Sequence, residues 1–97
     1  MTDADVDGDS GRDDTERVWL VEREYDDGGM VTLTYATPDG KRRERRQFSA
    51  VYLESRSVTA ARDVPVEDLE PTAEGDRDRY RSEVDRVRSR NDPDDEL

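Results

Sequence analysis

Val, Leu and Phe together supply only sixteen of the 97 residues, and Ile is absent, so the chain has material for one thin core and not for two. Charged residues make up 44% of the sequence and the net charge is −11, which places the chain as a whole where disorder is expected. The charge is unevenly spread. Residues 1–16 carry −6, residues 17–62 carry +2 and residues 63–97 carry −7. Beyond Met1 and Ala4 the first fifteen residues hold one apolar side chain, Val6, too little to offset a backbone ordering cost of roughly 1–2 kcal/mol per residue. The expected organisation is a disordered acidic tail over 1–15, one domain over 16–90 and a second disordered acidic tail over 91–97.

Strand chemistry begins at Arg17. In RVWLVEREY, alternation places Trp19, Val21, Arg23 and Tyr25 on one face and Val18, Leu20, Glu22 and Glu24 on the other. The turn residues Asp26-Asp27-Gly28-Gly29 follow, and then MVTLTYAT, with Val31, Leu33 and Tyr35 on one face. Thr37-Pro38-Asp39-Gly40 has the order of a type I turn closed by a left-handed glycine. A third strand starts at Lys41 and runs through RRERRQF. FSAVYLES fits both a strand and a helical spacing, and its aromatic and β-branched content favours strand. Ser57–Ala61 reads as a short fourth strand, and the prolines of VPVEDLEP bracket at most one helical turn near Leu69.

After Pro71 the pattern is helical, with Thr72 or Asp76 as N-cap, Arg late and Pro93 beyond the end. Tyr80, Val84 and Val87 form a narrow stripe at i, i+4 and i+7. The predicted fold is α+β: a three- to four-stranded antiparallel meander with a C-terminal helix packed on one face, over Trp19, Val21, Val31, Leu33 and Tyr35.

Cys and His are absent, which excludes disulfides, thiol chemistry, imidazole metal sites and His-based catalysis. The cations are 15 Arg and one Lys, Lys41. An acidic chain nearly free of Lys has the composition of proteins from organisms with molar internal salt, where a screening length of about 3 Å removes self-repulsion. No basic, apolar leader opens the sequence, and its longest apolar run is Val18–Val21, so the expected location is cytoplasmic. The strings VWLVEREY, YATPDGKR, VTAARDV and DRYRSEVDRVRSRNDPDD resemble a family of small acidic uncharacterised proteins of halophilic archaea, over roughly residues 17–95. The resemblance implies no activity, cofactor or site residue.

Three constellations bear on function. Asp3, Asp5, Asp7, Gly8, Asp9 and Asp14 match the ligand spacing of a calcium loop, but no helix precedes Asp3, Ser10 stands where an apolar anchor belongs, and place 12 is the shorter Asp. The reading is no specific metal and no cofactor. Lys41-Arg42-Arg43-Glu44-Arg45-Arg46 is a basic strand in an acidic protein, with Arg43 and Arg45 on one side and Arg42 and Arg46 on the other. Such rows can follow phosphates, with Phe48 and Tyr52 placed for base stacking. They can equally pair with Glu22, Glu24 or the acids of the helix. The third is an apolar surplus on the sheet face away from the helix, at Val18, Leu20, Met30, Val51 and Leu53, which needs a second covering layer: another copy of the chain, a different protein or a fold-back of VPVEDLEP.

The functional expectation is therefore a non-enzymatic module that binds a protein partner or forms a homodimer through Val18, Leu20, Met30 and Leu53. The alternative is a nucleic-acid-associated accessory protein using Arg42, Arg43, Arg45 and Arg46. Neither reading involves a membrane.

Overall fold

The computed structural model describes residues 14–97. Its elements are β1 (Thr15–Tyr25), β2 (Met30–Ala36), β3 (Arg42–Ser49), α1 (Ala50–Glu54), β4 (Ala61–Pro65), β5 (Glu70–Pro71) and α2 (Arg77–Arg90). The architecture is α+β, an antiparallel sheet with a C-terminal helix, and the sheet has five strands where three or four were expected. The strand order is β4-β1-β2-β3-β5. Only β1 to β3 form a meander; β4 crosses to the free edge of β1, and β5 returns to the free edge of β3. Residues 1–13, with the calcium-loop pattern up to Asp9, lie outside the described residues.

Both hairpin turns form where the turn residues stand. In the first, the Asp26 carboxylate accepts from the backbone N–H of Gly28 at 2.8 Å and of Met30 at 3.0 Å, and Gly29 takes a φ of +84°. In the second, the Gly40 N–H donates to the Thr37 carbonyl at 2.8 Å, and Gly40 takes a φ of +75°. Gly40 also lies against the start of α2, where a Cβ would come within 2.3 Å of the Arg77 carbonyl oxygen. This turn therefore seats the helix as well as reversing the chain.

One extra residue in β1 changes which side chains share a face. Leu20 pairs with Tyr35 and Glu22 with Thr34, so Val21 is a bulge. Beyond it, Glu22 and Glu24 move to the helix side, while Arg23 and Tyr25 join Val18 and Leu20. The helix consequently covers Trp19, Ala36, Ala60 and Ala61, with Val21 packed at the border. Val31, Leu33 and Tyr35, expected under the helix, belong to the opposite face with Val18, Leu20 and Val64. The helix stripe is as read: Tyr80, Val84 and Val87 are its buried residues. Each contributes about 1.5–3 kcal/mol if fully buried. The Tyr80 hydroxyl donates to Glu22 at 3.2 Å, which ties the helix to the bulged strand.

The second covering layer is the chain itself. Phe48, Ala50, Leu53, Val58 and Leu69 pack on the Val18, Leu20 and Leu33 face. The segment expected as continued strand is α1. β3 has no further partner once Ser49 has paired with Met30, and the Ser49 hydroxyl caps the new helix by accepting from the Tyr52 N–H at 3.0 Å. The fourth strand is Ala61–Pro65 rather than Ser57–Ala61: Ala60 still accepts from the Leu20 N–H of β1, but residues 57–59 turn to the C-terminal segment. The Ala60 N–H donates to Asp95, Ala61 to Pro93 and Leu97 to Val58, at 2.8, 3.0 and 2.8 Å. Composition reads residues 91–97 as a disordered tail; in the structure, residues 92–97 run along the edge of this segment. Among the described residues no helix is long and apolar enough to cross a membrane.

Candidate functional site

Alternation along β3 places Glu44, Arg46 and Phe48 beside Tyr35, Leu33 and Val31 of β2, on the face away from α2. The Ser49 cap then bends the chain into α1, so that Tyr52 follows Phe48 at helical spacing. Their rings lie parallel within 3°, with centroids 5.5 Å apart. Arg56 follows four residues later and sets its guanidinium 4.6 Å from the Tyr52 ring centroid. Arg46 stands 5.0 Å over Phe48. From β4, Arg62 reaches 5.8 Å over Tyr35 and pairs with Glu44 at 2.7 Å. These six side chains border one open cleft of about 240 Å³.

The electrostatics of the cleft run against those of the molecule. Among the described residues, neither Arg46 nor Arg56 has a carboxylate partner, whereas Arg62 is held by Glu44. Burial pushes the Tyr35 phenol above its ordinary value, with the charge of Arg62 opposing the shift, so the ring remains a neutral donor, bonded to the Thr59 carbonyl at 3.3 Å. Guanidinium planes stacked on rings keep their N–H edges available to an anion. A second hollow of about 320 Å³ shares Leu53, Arg56 and Val58 with the first and adds Arg23 and Tyr25.

The residues anticipated from sequence are distributed otherwise. Val18 is wholly buried and Leu20 is 7% exposed, both inside the chain's own core; Leu53 packs against them, and Met30 falls on the other face by register. These four side chains do not form a common surface, because α1 and residues 55–60 occupy the space reserved for a partner. Within the basic strand, Arg42 pairs with Glu16 and Arg43 with Glu70. Arg43 and Arg45 share the helix side of the sheet with Ala36 and Thr34, while Arg42 and Arg46 lie on the side of Tyr35, as alternation required. Only Arg46 of the four borders the cleft. Arg56, Arg62 and Tyr35 escaped the sequence reading as site residues. For Arg56 a signal existed: Phe48, Tyr52 and Arg56 recur every four residues, the spacing of one helix face.

Among the described residues no group of three acidic side chains is arranged to hold a metal ion. A family model matches residues 12–97. The chain belongs to DUF7967, a family of unknown function. Neither a curated protein nor a solved structure matches it. The DUF7967 match spans every described strand, both helices and the whole lining of the cleft.

Proposed function

We propose that the protein is a non-enzymatic binding module that takes an anionic partner in the cleft between β3, α1 and β4. The observation that carries this reading is the convergence of Arg46, Arg56 and Arg62, each over an aromatic ring, around one opening in a chain of net charge −11. Burial of Val18 and Leu20 removes the reason to invoke a homodimer through that face. The same module is read as a cytoplasmic protein of a high-salt organism, on its acidity, its single Lys and its resemblance to proteins of halophilic archaea.

The test is a nuclear magnetic resonance titration with inorganic phosphate and with a glutamate-rich peptide in KCl. The expected result is movement of the Nε–H signals of Arg46, Arg56 and Arg62 and of the Phe48 and Tyr52 ring signals, with Arg45 and Arg88 unmoved. Absence of any response, or an equal response at Arg45 and Arg88, overturns the assignment of the cleft as the binding site.

A further inference from the structure

Resting on the anion-binding reading, we infer that the ligand is a single-stranded nucleic acid, held by base stacking across two adjoining hollows with a phosphate at Arg56. Three observations converge on this ligand. The first is the pairing of flat apolar surface with guanidinium: Tyr52 is 42% accessible, stacked on Phe48 on one side and covered by Arg56 on the other, so a base takes the ring face that Arg56 vacates as it turns to the phosphate. The second is repetition. The adjoining hollow has its own exposed ring, Tyr25, which is 68% accessible, and its own guanidinium, Arg23, and the two hollows meet at Arg56. A strand alternates flat groups and negative charges, which is the order ring, Arg56, ring. The third is what the acidic chain permits. Glu54 and Glu96 line the second hollow, so phosphates are excluded there and directed to the shared wall, whereas an uncharged base is tolerated.

The stacking character also fits a high-salt setting. Phosphate binding by counterion release fades as salt rises, with a slope of about −0.7 per neutralised phosphate on single strands. Stacking of bases on rings is not subject to that loss, and the long-range repulsion from a −11 chain is screened at molar salt. A site built from a few arginines and several rings therefore retains affinity where a lysine-rich groove does not.

The experiment is fluorescence anisotropy of end-labelled eight-residue oligouridylate and oligothymidylate with the full chain, from 0.5 to 3 M KCl. Saturable binding is expected, with a log–log salt slope no steeper than about −2, which is what three arginines supply. Tyr52→Ala and Tyr25→Ser should each weaken binding about tenfold, and Arg56→Gln by a similar factor. Arg45→Gln, which removes the same charge from the opposite face, should change it less than twofold. Circular dichroism on each variant confirms the fold, and all four positions are exposed, so these substitutions leave the core intact. A steeper slope with Arg45→Gln as damaging as Arg56→Gln overturns the two-hollow site. A glutamate peptide that binds with the same variant sensitivity while both oligonucleotides do not bind overturns the nucleic-acid assignment and leaves the anion-binding cleft standing. If neither probe binds, both readings fail.

Discussion

Gly40 shows how one residue couples turn, helix and sheet. Its positive φ would strain any L side chain, and the 2.3 Å approach to the Arg77 carbonyl leaves no volume for a methyl group. Gly29 has an equally positive φ but nothing within 4 Å of its missing Cβ. Gly29→Ala is thus expected to cost about 1 kcal/mol for backbone conformation alone, and Gly40→Ala at least about 2 kcal/mol more, because the helix must lift from the turn. Denaturant melts of the two variants in molar KCl check this, and equal losses would show that α2 is not seated on the turn. The neighbouring Asp39 illustrates the acid limit of stability. Thr37 donates to it at 2.6 Å and the Lys41 N–H at 2.9 Å, so it binds its proton less readily folded than unfolded, as do Asp63 beside Arg17 and Glu83 beside Arg86. Their stabilisation is complete above the ordinary carboxylate range near pH 4 and is withdrawn as pH falls through the lowered folded values. With no His in the sequence, stability at fixed molar salt should be flat from pH 5 to 8 and fall below about pH 4, the fall being shallower in Asp39→Asn. Thermal melts across pH decide it; a transition near pH 6 would contradict the assignment. The turn was legible because its chemistry is local, whereas its contact with Arg77, thirty-seven residues away, is encoded nowhere near it.

At the scale of elements, legibility followed the range of the forces. The Tyr80-Val84-Val87 stripe and the two hairpins depend on neighbours within a few positions, and they stand where periodicity placed them. The Val21 bulge does not announce itself in RVWLVEREY, since every residue there is acceptable on a strand, yet it reverses the faces of all residues beyond it. That single slip made the helix face wrong for β2 and hid the meeting of Tyr25 with the α1 side of the sheet. α1 was missed because aromatic and β-branched content suggested strand, while the loss of a pairing partner after Ser49 decided for helix. The C-terminal segment is the largest departure from composition. Its acids suggested disorder, but the bonds from Ala60, Ala61 and Leu97 make it part of the support for β4, and Arg23 donates to the Leu97 carbonyl at 3.1 Å. Deletion of residues 92–97 should therefore lower the melting temperature by several degrees and speed hydrogen exchange at Ala60 and Ala61, at about 0.5–1.5 kcal/mol per lost bond. An unchanged melt would return the segment to the status of a tail.

Across the whole molecule, the charge is sorted by element. The helix α2 carries six Arg and three acids, for a net charge of +3, and it faces the Glu22 and Glu24 side of β1, where Arg79 meets Glu22 at 3.4 Å. The helix and β1 therefore attract. The repulsive surplus lies elsewhere, −6 over residues 63–76, which Val64 and Leu69 anchor to the core, and −4 over residues 91–97. The ion pairs along α2, Arg86 with Glu83 and Arg81 with Asp78, contribute little each and less in salt. On transfer from molar KCl to salt-free buffer, the screening length grows from about 3 Å to more than 30 Å, and the acids of the two surplus segments begin to oppose one another and the remaining carboxylates. The expected outcome is stepwise: residues 66–76 and 92–97 lose hydrogen-exchange protection first, β4 and β5 follow at the sheet edges, and α2 with β1 to β3 melts last, held by Tyr80, Val84 and Val87 and by its own opposite charge. Exchange measured by nuclear magnetic resonance along a desalting series resolves that order. Early loss of protection in α2 would mean that its hold on the sheet is electrostatically unfavourable, in conflict with the Arg79–Glu22 geometry, and full protection of every segment without salt would remove the high-salt adaptation from the reading of this chain.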